Sequence, residues 1–116
     1  MKNITIGGKE IPMIRNALSP IIYRRIFHKD SIAQMSKITS EDMSGDVIDL
    51  YTEIAFVMAI QASKQPEELK KVTEEDFFLW LSQFDDPYAI PRALDDIVNY
   101  YNEQDLTNSS AKKEEG

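Results

Sequence analysis

Three features of this 116-residue sequence predict an α+β fold. Apolar residues alternate with polar ones up to about Met13, then recur at spacings of three and four from about Ser19. Later apolar stretches open on helix-start signals, Thr73 with Asp76 and then Pro91. The end, "TNSSAKKEEG", is polar and charged, with nothing to bury. The expectation is a single domain over 1–104, an N-terminal β-hairpin packed on a mostly α-helical body of four to five helices. A disordered polar tail follows over 105–116.

The hairpin is read from "ITIGGKEIPM". Ile4 and Ile6 sit at period two, and Gly7-Gly8 can take the positive φ angles of a tight turn. The return strand runs from about Lys9 to Met13, with Ile11 and Met13 on one face. Pro12, lacking an N–H, places that strand at an edge. In "LSPIIYRRIFHKD", Ser19 can cap a helix and Pro20 suits its first helical position. Ile22 and Ile26, with Tyr23 and Phe27 beside them, form its apolar side. Asp30 or Ser31 then caps a short helix carrying Ile32, Met35 and Ile38. "TSEDMSGD" reads as a loop punctuated by Gly45.

Asp46 to Ser63 gives the strongest helix pattern. Ile54 to Ile60 is wholly apolar, which predicts a central helix buried nearly all round, with Ala55, Ala59 and Ala62 permitting close approach. "KQPEELKKV" reads as a polar connection. "TEEDFFLWLSQF" opens with a capping-box pattern, Thr73 and Asp76, and with acids in the first turn. Phe77, Leu81 and Phe84 share its inner face, widened by Phe78 and Trp80. "DDP" ends it, and Pro91 begins a last helix with Leu94, Ile97, Val98 and Tyr101 inward. The expected core is Ile22, Ile26, Leu50, Ile54, Val57, Met58, Phe77, Leu81, Phe84, Leu94 and Ile97. Leu81→Ala would then cost about 2–5 kcal/mol.

Composition narrows the chemistry. Without cysteine there is no disulfide scaffold, thiolate nucleophile or Cys-ligated zinc. The start lacks the apolar region of a signal peptide, and "IAFVMAIQA" is far too short to span a membrane. Net charge is −7, unevenly spread. Residues 1–38 carry seven Lys/Arg and two acids, whereas 39–116 carry six and eighteen. The overall charge argues against nucleic acid as the main partner. A basic edge, Arg24, Arg25 and Lys29, keeps open an alternative: a small regulator touching nucleic acid through the helix around Arg24. His28 is the sole histidine, and the pairs Asp85-Asp86 and Asp95-Asp96 point their carboxylates in different directions on a helix. No EF-hand, P-loop, dinucleotide or nucleophile-elbow pattern is present. The expectation is no enzymatic activity, no cofactor and no metal. Trp80, toward a second face of its helix, is the aromatic expected to be partly exposed.

The order of segments resembles the tail assembly chaperones of long-tailed (siphovirus-type) phages and prophages of Gram-positive bacteria. The resemblance lies in the "ITIGGKEIPM" hairpin, the "YRRIFHKD" helix end, the Met/Ala-rich "EIAFVMAIQASK" helix, then "WLSQF" and a polar tail. It spans about residues 3 to 104. It implies a non-enzymatic protein of the host cell cytoplasm that binds the helical tape measure protein and helps recruit tail tube subunits, and that is not part of the mature virion. The resemblance supplies no binding residues. Trp80 and Tyr88 are the candidate partner anchors because both lie off the core phase.

The resemblance also implies two lengths of product, because ribosomes slip by one base near the end of such genes. Ala111-Lys112-Lys113 can be encoded GCA-AAA-AAG, which holds the slippery run A-AAA-AAG. A frameshift-extended form would share residues 1 to 111 and would itself be a possible partner. Oligomeric state is open.

Overall fold

The computed structural model describes residues 1–36 and 45–103. The expected tail over 105–116, the loop before Gly45 and Ile38 lie outside the described residues. The fold is α+β. Strands β1 (Lys2–Ile6) and β2 (Lys9–Met13) precede helices α1 (Leu18–Phe27), α2 (Ser31–Ser36), α3 (Gly45–Ser63), α4 (Pro66–Leu69), α5 (Glu74–Leu81) and α6 (Ala89–Asn102).

The hairpin is antiparallel, with Ile4 opposite Ile11 and Ile6 opposite Lys9. A two-residue turn whose twist matches the strands needs positive φ at both positions, which glycine adopts without a Cβ clash. Gly7 has φ +58° and Gly8 φ +81°. One face of the ribbon, Ile4, Ile6 and Met13, is buried against the helices. Ile14 N–H donates to Met58 O at 3.1 Å, and Tyr100 Oη donates to Met13 O at 3.3 Å. The ribbon thereby gains the partners that a lone hairpin lacks in water.

Helix α3 is the axis of the body. Every residue from Ile54 to Ile60 is buried, so no side of this segment faces water, as its unbroken apolar run predicts. The hairpin, α1, α4, α5 and α6 all contact it. From α6 come Leu94, Ile97 and Tyr100, all buried, while Val98 and Tyr101 pack at the margin.

Several expectations need correction. Ser19 is not the cap of α1 but a buried residue within its first turn. Asn16 takes the capping role, its Oδ1 accepting from Leu18 N–H at 2.9 Å. Pro20 and Pro91 are each the third residue of their helix, α1 and α6, rather than the first, still inside the turn whose N–H groups have no helical partner. The connection "KQPEELKKV" contains α4 and buries Leu69 and Val72. Of the apolar residues that α2 carries, Ile32 is exposed and Met35 packs at the margin of the core. In α5, Phe77 is buried, but Leu81 is half-buried and Phe78 exposed, and Phe84, expected on the same helical face, lies beyond the end of α5 and is half-buried. For Phe78 the cause is helical phase. At roughly 100° per residue, Trp80 and Leu81 fall within about 60° of Phe77, whereas Phe78 and Leu79 point away. Other expectations hold: Asp30 Oδ1 accepts from Ile32 N–H at 3.0 Å to start α2, and Asp76 Oδ2 accepts from Thr73 N–H at 2.9 Å to start α5.

These burials rank the core. Ile97→Ala should lower the unfolding free energy by about 2–5 kcal/mol, measured by urea denaturation. Leu81→Ala should cost clearly less, because part of that side chain already meets water. Equal losses at the two sites would mean that Leu81 is as fully enclosed as Ile97.

Candidate partner-binding surface

An aromatic chain runs through the molecule and ends at the surface. Tyr23 of α1 packs on Phe27 with ring centroids 5.1 Å apart. Phe27 meets Phe77 of α5 edge-on at 5.1 Å, and Phe77 meets Phe56 of α3 at 5.3 Å. Trp80 lies on Phe56 at 5.6 Å and edge-on to Phe84 at 5.2 Å. Phe84 in turn sits against the hairpin turn, where a Cβ on Gly7 would stand 3.4 Å from Phe84 Cδ1. Such offset and edge-on contacts add to what area burial alone supplies. Trp80 is therefore half-buried and joins α5 to α3.

Tyr88 is placed differently. It immediately precedes α6 and is 62% exposed. Its N–H donates to Asp86 Oδ1 at 2.9 Å, and the Arg92 guanidinium lies over its ring at 5.6 Å while also pairing with Asp86. Among the described residues no ring contact joins Trp80 to Tyr88, so the two anchor candidates do not form one cluster.

Exposed apolar area gathers instead at residues outside the expected site. Phe78 and Leu79, adjacent on α5, are 63% and 64% exposed. On α1, Leu18 and Ile21 are 41% and 53% exposed. A large apolar side chain left in water on a folded domain is informative when several lie side by side. The helical wheel of "EEDFFLWL" already holds this signal, since only one side of so short a helix can face the core.

The basic edge of α1 is largely committed. Arg25 Nη2 donates to Leu69 O and, at 3.0 Å, to Val72 O, pinning the end of α4. Lys29 Nζ reaches both oxygens of Glu53 at 3.3 Å. Arg24 is exposed. His28 closes α1 in the left-handed conformation, φ +58°, its backbone N–H donating to Arg24 O at 2.9 Å. Among the described residues no group of three or more His, Cys, Asp or Glu could hold a metal ion, and no helix is long and apolar enough to cross a membrane.

Glu53 of α3 holds both Tyr23 of α1 and Lys29, just beyond the end of α1. The Tyr23 hydroxyl donates to its Oε1, opposite the Lys29 ammonium. Burial, then the hydrogen bond to Glu53 and its negative charge, push the Tyr23 phenol well above its ordinary value of 10.0. Tyr101 is raised too, chiefly by burial and further by the neighbouring Tyr51.

No known protein family, curated protein or solved structure matches the chain.

The phenols set an alkaline limit. A folded-state pKa above the unfolded value means that the unfolded chain releases its proton first, so their contribution is fully present below about pH 10 and is lost as pH rises beyond it. Urea denaturation at pH 8 and pH 11 should show this fall, with a smaller fall in Tyr23→Phe. An unchanged pH dependence in that variant would mean that Tyr23 ionises as freely in the fold as in the unfolded chain.

Proposed function

We propose that this protein is a non-enzymatic assembly chaperone of the phage tail type. It binds a helical segment of a tape measure protein in the host cell cytoplasm, keeps it soluble and helps recruit tail tube subunits. The observation that supports this reading best is the Phe78–Leu79 pair, an apolar surface presented on a helix held by the aromatic core. Amphipathic helices are recognised by such surfaces, and covering their apolar faces suppresses aggregation. The net charge of −7 weighs against the nucleic-acid alternative, and one cation of its basic edge, Lys29, is paired with Glu53. The reading includes a longer product that shares residues 1 to 111.

Co-expression with the tape measure protein encoded beside it, followed by pull-down, tests the reading. The unmodified protein should capture the tape measure protein, and the double variant Phe78→Ser, Leu79→Ser should lose at least about tenfold of that affinity while staying folded. Trp80→Ala and Tyr88→Ala assign the earlier candidates. Unchanged capture by a folded variant removes its residue from the site, and no capture by the unmodified protein contradicts the function.

A further inference from the structure

A second apolar surface lies between α1 and α4 and has cations at its edge. Leu18, Ile21, Ile22 and Arg25 follow one another at spacings of three, one and three, a single stripe along α1. Pro66, Leu69 and Lys70 face this stripe from α4 and its end, and the seven residues enclose a groove of about 310 Å³. Its floor is apolar, with Ile22 and Leu69 buried, and its walls include the exposed Leu18 and Ile21. The stripe is about 10 Å long, close to two helical turns. Arg25 holds the groove's shape through Leu69 O and Val72 O, yet carbonyl partners do not cancel its charge.

Its charge distinguishes this groove from the rest of the molecule. Both charged residues that line it, Arg25 and Lys70, are cationic, and no carboxylate lines it. Lys70 has no ion pair among the described residues. This happens on a chain of net charge −7. We infer that the α1–α4 groove docks an amphipathic helix of another polypeptide, its apolar stripe on Leu18, Ile21 and Leu69 and its flanking carboxylates beside Arg25 and Lys70. Complementary charge favours such a helix and repels a basic one. The site is separate from the α5 surface and does not depend on what α5 binds.

Two synthetic amphipathic peptides test this, with the same leucine stripe but glutamates flanking it in one and lysines in the other. Titrated into the full-length protein under NMR, the glutamate peptide should shift the amides of Leu18, Ile21, Leu69 and Lys70. It should bind at least about tenfold more tightly than the lysine peptide, with the difference shrinking as salt is added. Lys70→Glu alters an exposed side chain and should erase or reverse that preference, and Ile21→Ser should weaken both peptides. Equal binding of the two peptides, or shifts confined to Phe78 and Leu79, would overturn the proposal. So would absence of binding, or concentration-dependent shifts of the groove amides without peptide, which would assign the groove to a second copy of this chain.

Discussion

The structure depends on the all-round burial of α3. From Ile54 to Ile60 it offers only apolar side chains, so it is stable only when neighbours cover every side. Ala55 and Ala59 are small enough for those neighbours to come close. The hairpin covers one side and shares a backbone hydrogen bond at Met58. Helices α1, α5 and α6 cover the others. Burial of this kind is strong but undirected, since apolar contact alone permits a helix to slide or rotate.

Two polar ties supply the direction. At one end of α3, Ser19 Oγ donates to Gln61 Oε1 at 2.6 Å, and Gln61 Nε2 donates to Asn16 Oδ1 at 2.9 Å. Asn16 N–H returns to Ser19 Oγ at 3.1 Å, closing a ring that also caps α1. About two turns away, Glu53 receives Tyr23 and Lys29. The two ties fix α1 against α3 in both register and rotation. These pairings specify one arrangement because any other would leave the buried members, Ser19 and Tyr23, unpaired. With α1 fixed, its Leu18–Ile21 side must face outward, and α4, gripped by Arg25, completes the groove beside it.

Much of this was legible in the sequence. Gly7-Gly8 dictated the hairpin turn, the apolar run dictated the buried helix, and Thr73 with Asp76 marked the start of α5. The failures share a cause. Ser19 has the chemistry of a cap, but Asn16 has it too, and only the position of Gln61, over forty residues on, decides between them. Phe78 has the hydrophobicity to widen the inner face, but the phase set by Phe77 and the short length of α5 leave it outside. Leu69 and Val72 were hidden among Lys and Glu in "KQPEELKKV", and their burial depends on Arg25 reaching across from α1. The candidate surface was therefore the least readable part, because an exposed apolar residue looks like a core residue until its neighbours are placed.

Native-state hydrogen exchange tests the central role of α3 most directly. If α3 is the axis on which everything else is stacked, the amides from Ile54 to Ile60 should exchange only through global unfolding, with free energies equal to the unfolding free energy from urea denaturation. The amides of α4 and of the end of α5 should open at lower cost. Exchange of the α3 amides through a cheaper, partial opening, while the hairpin and α6 stay protected, would contradict the account.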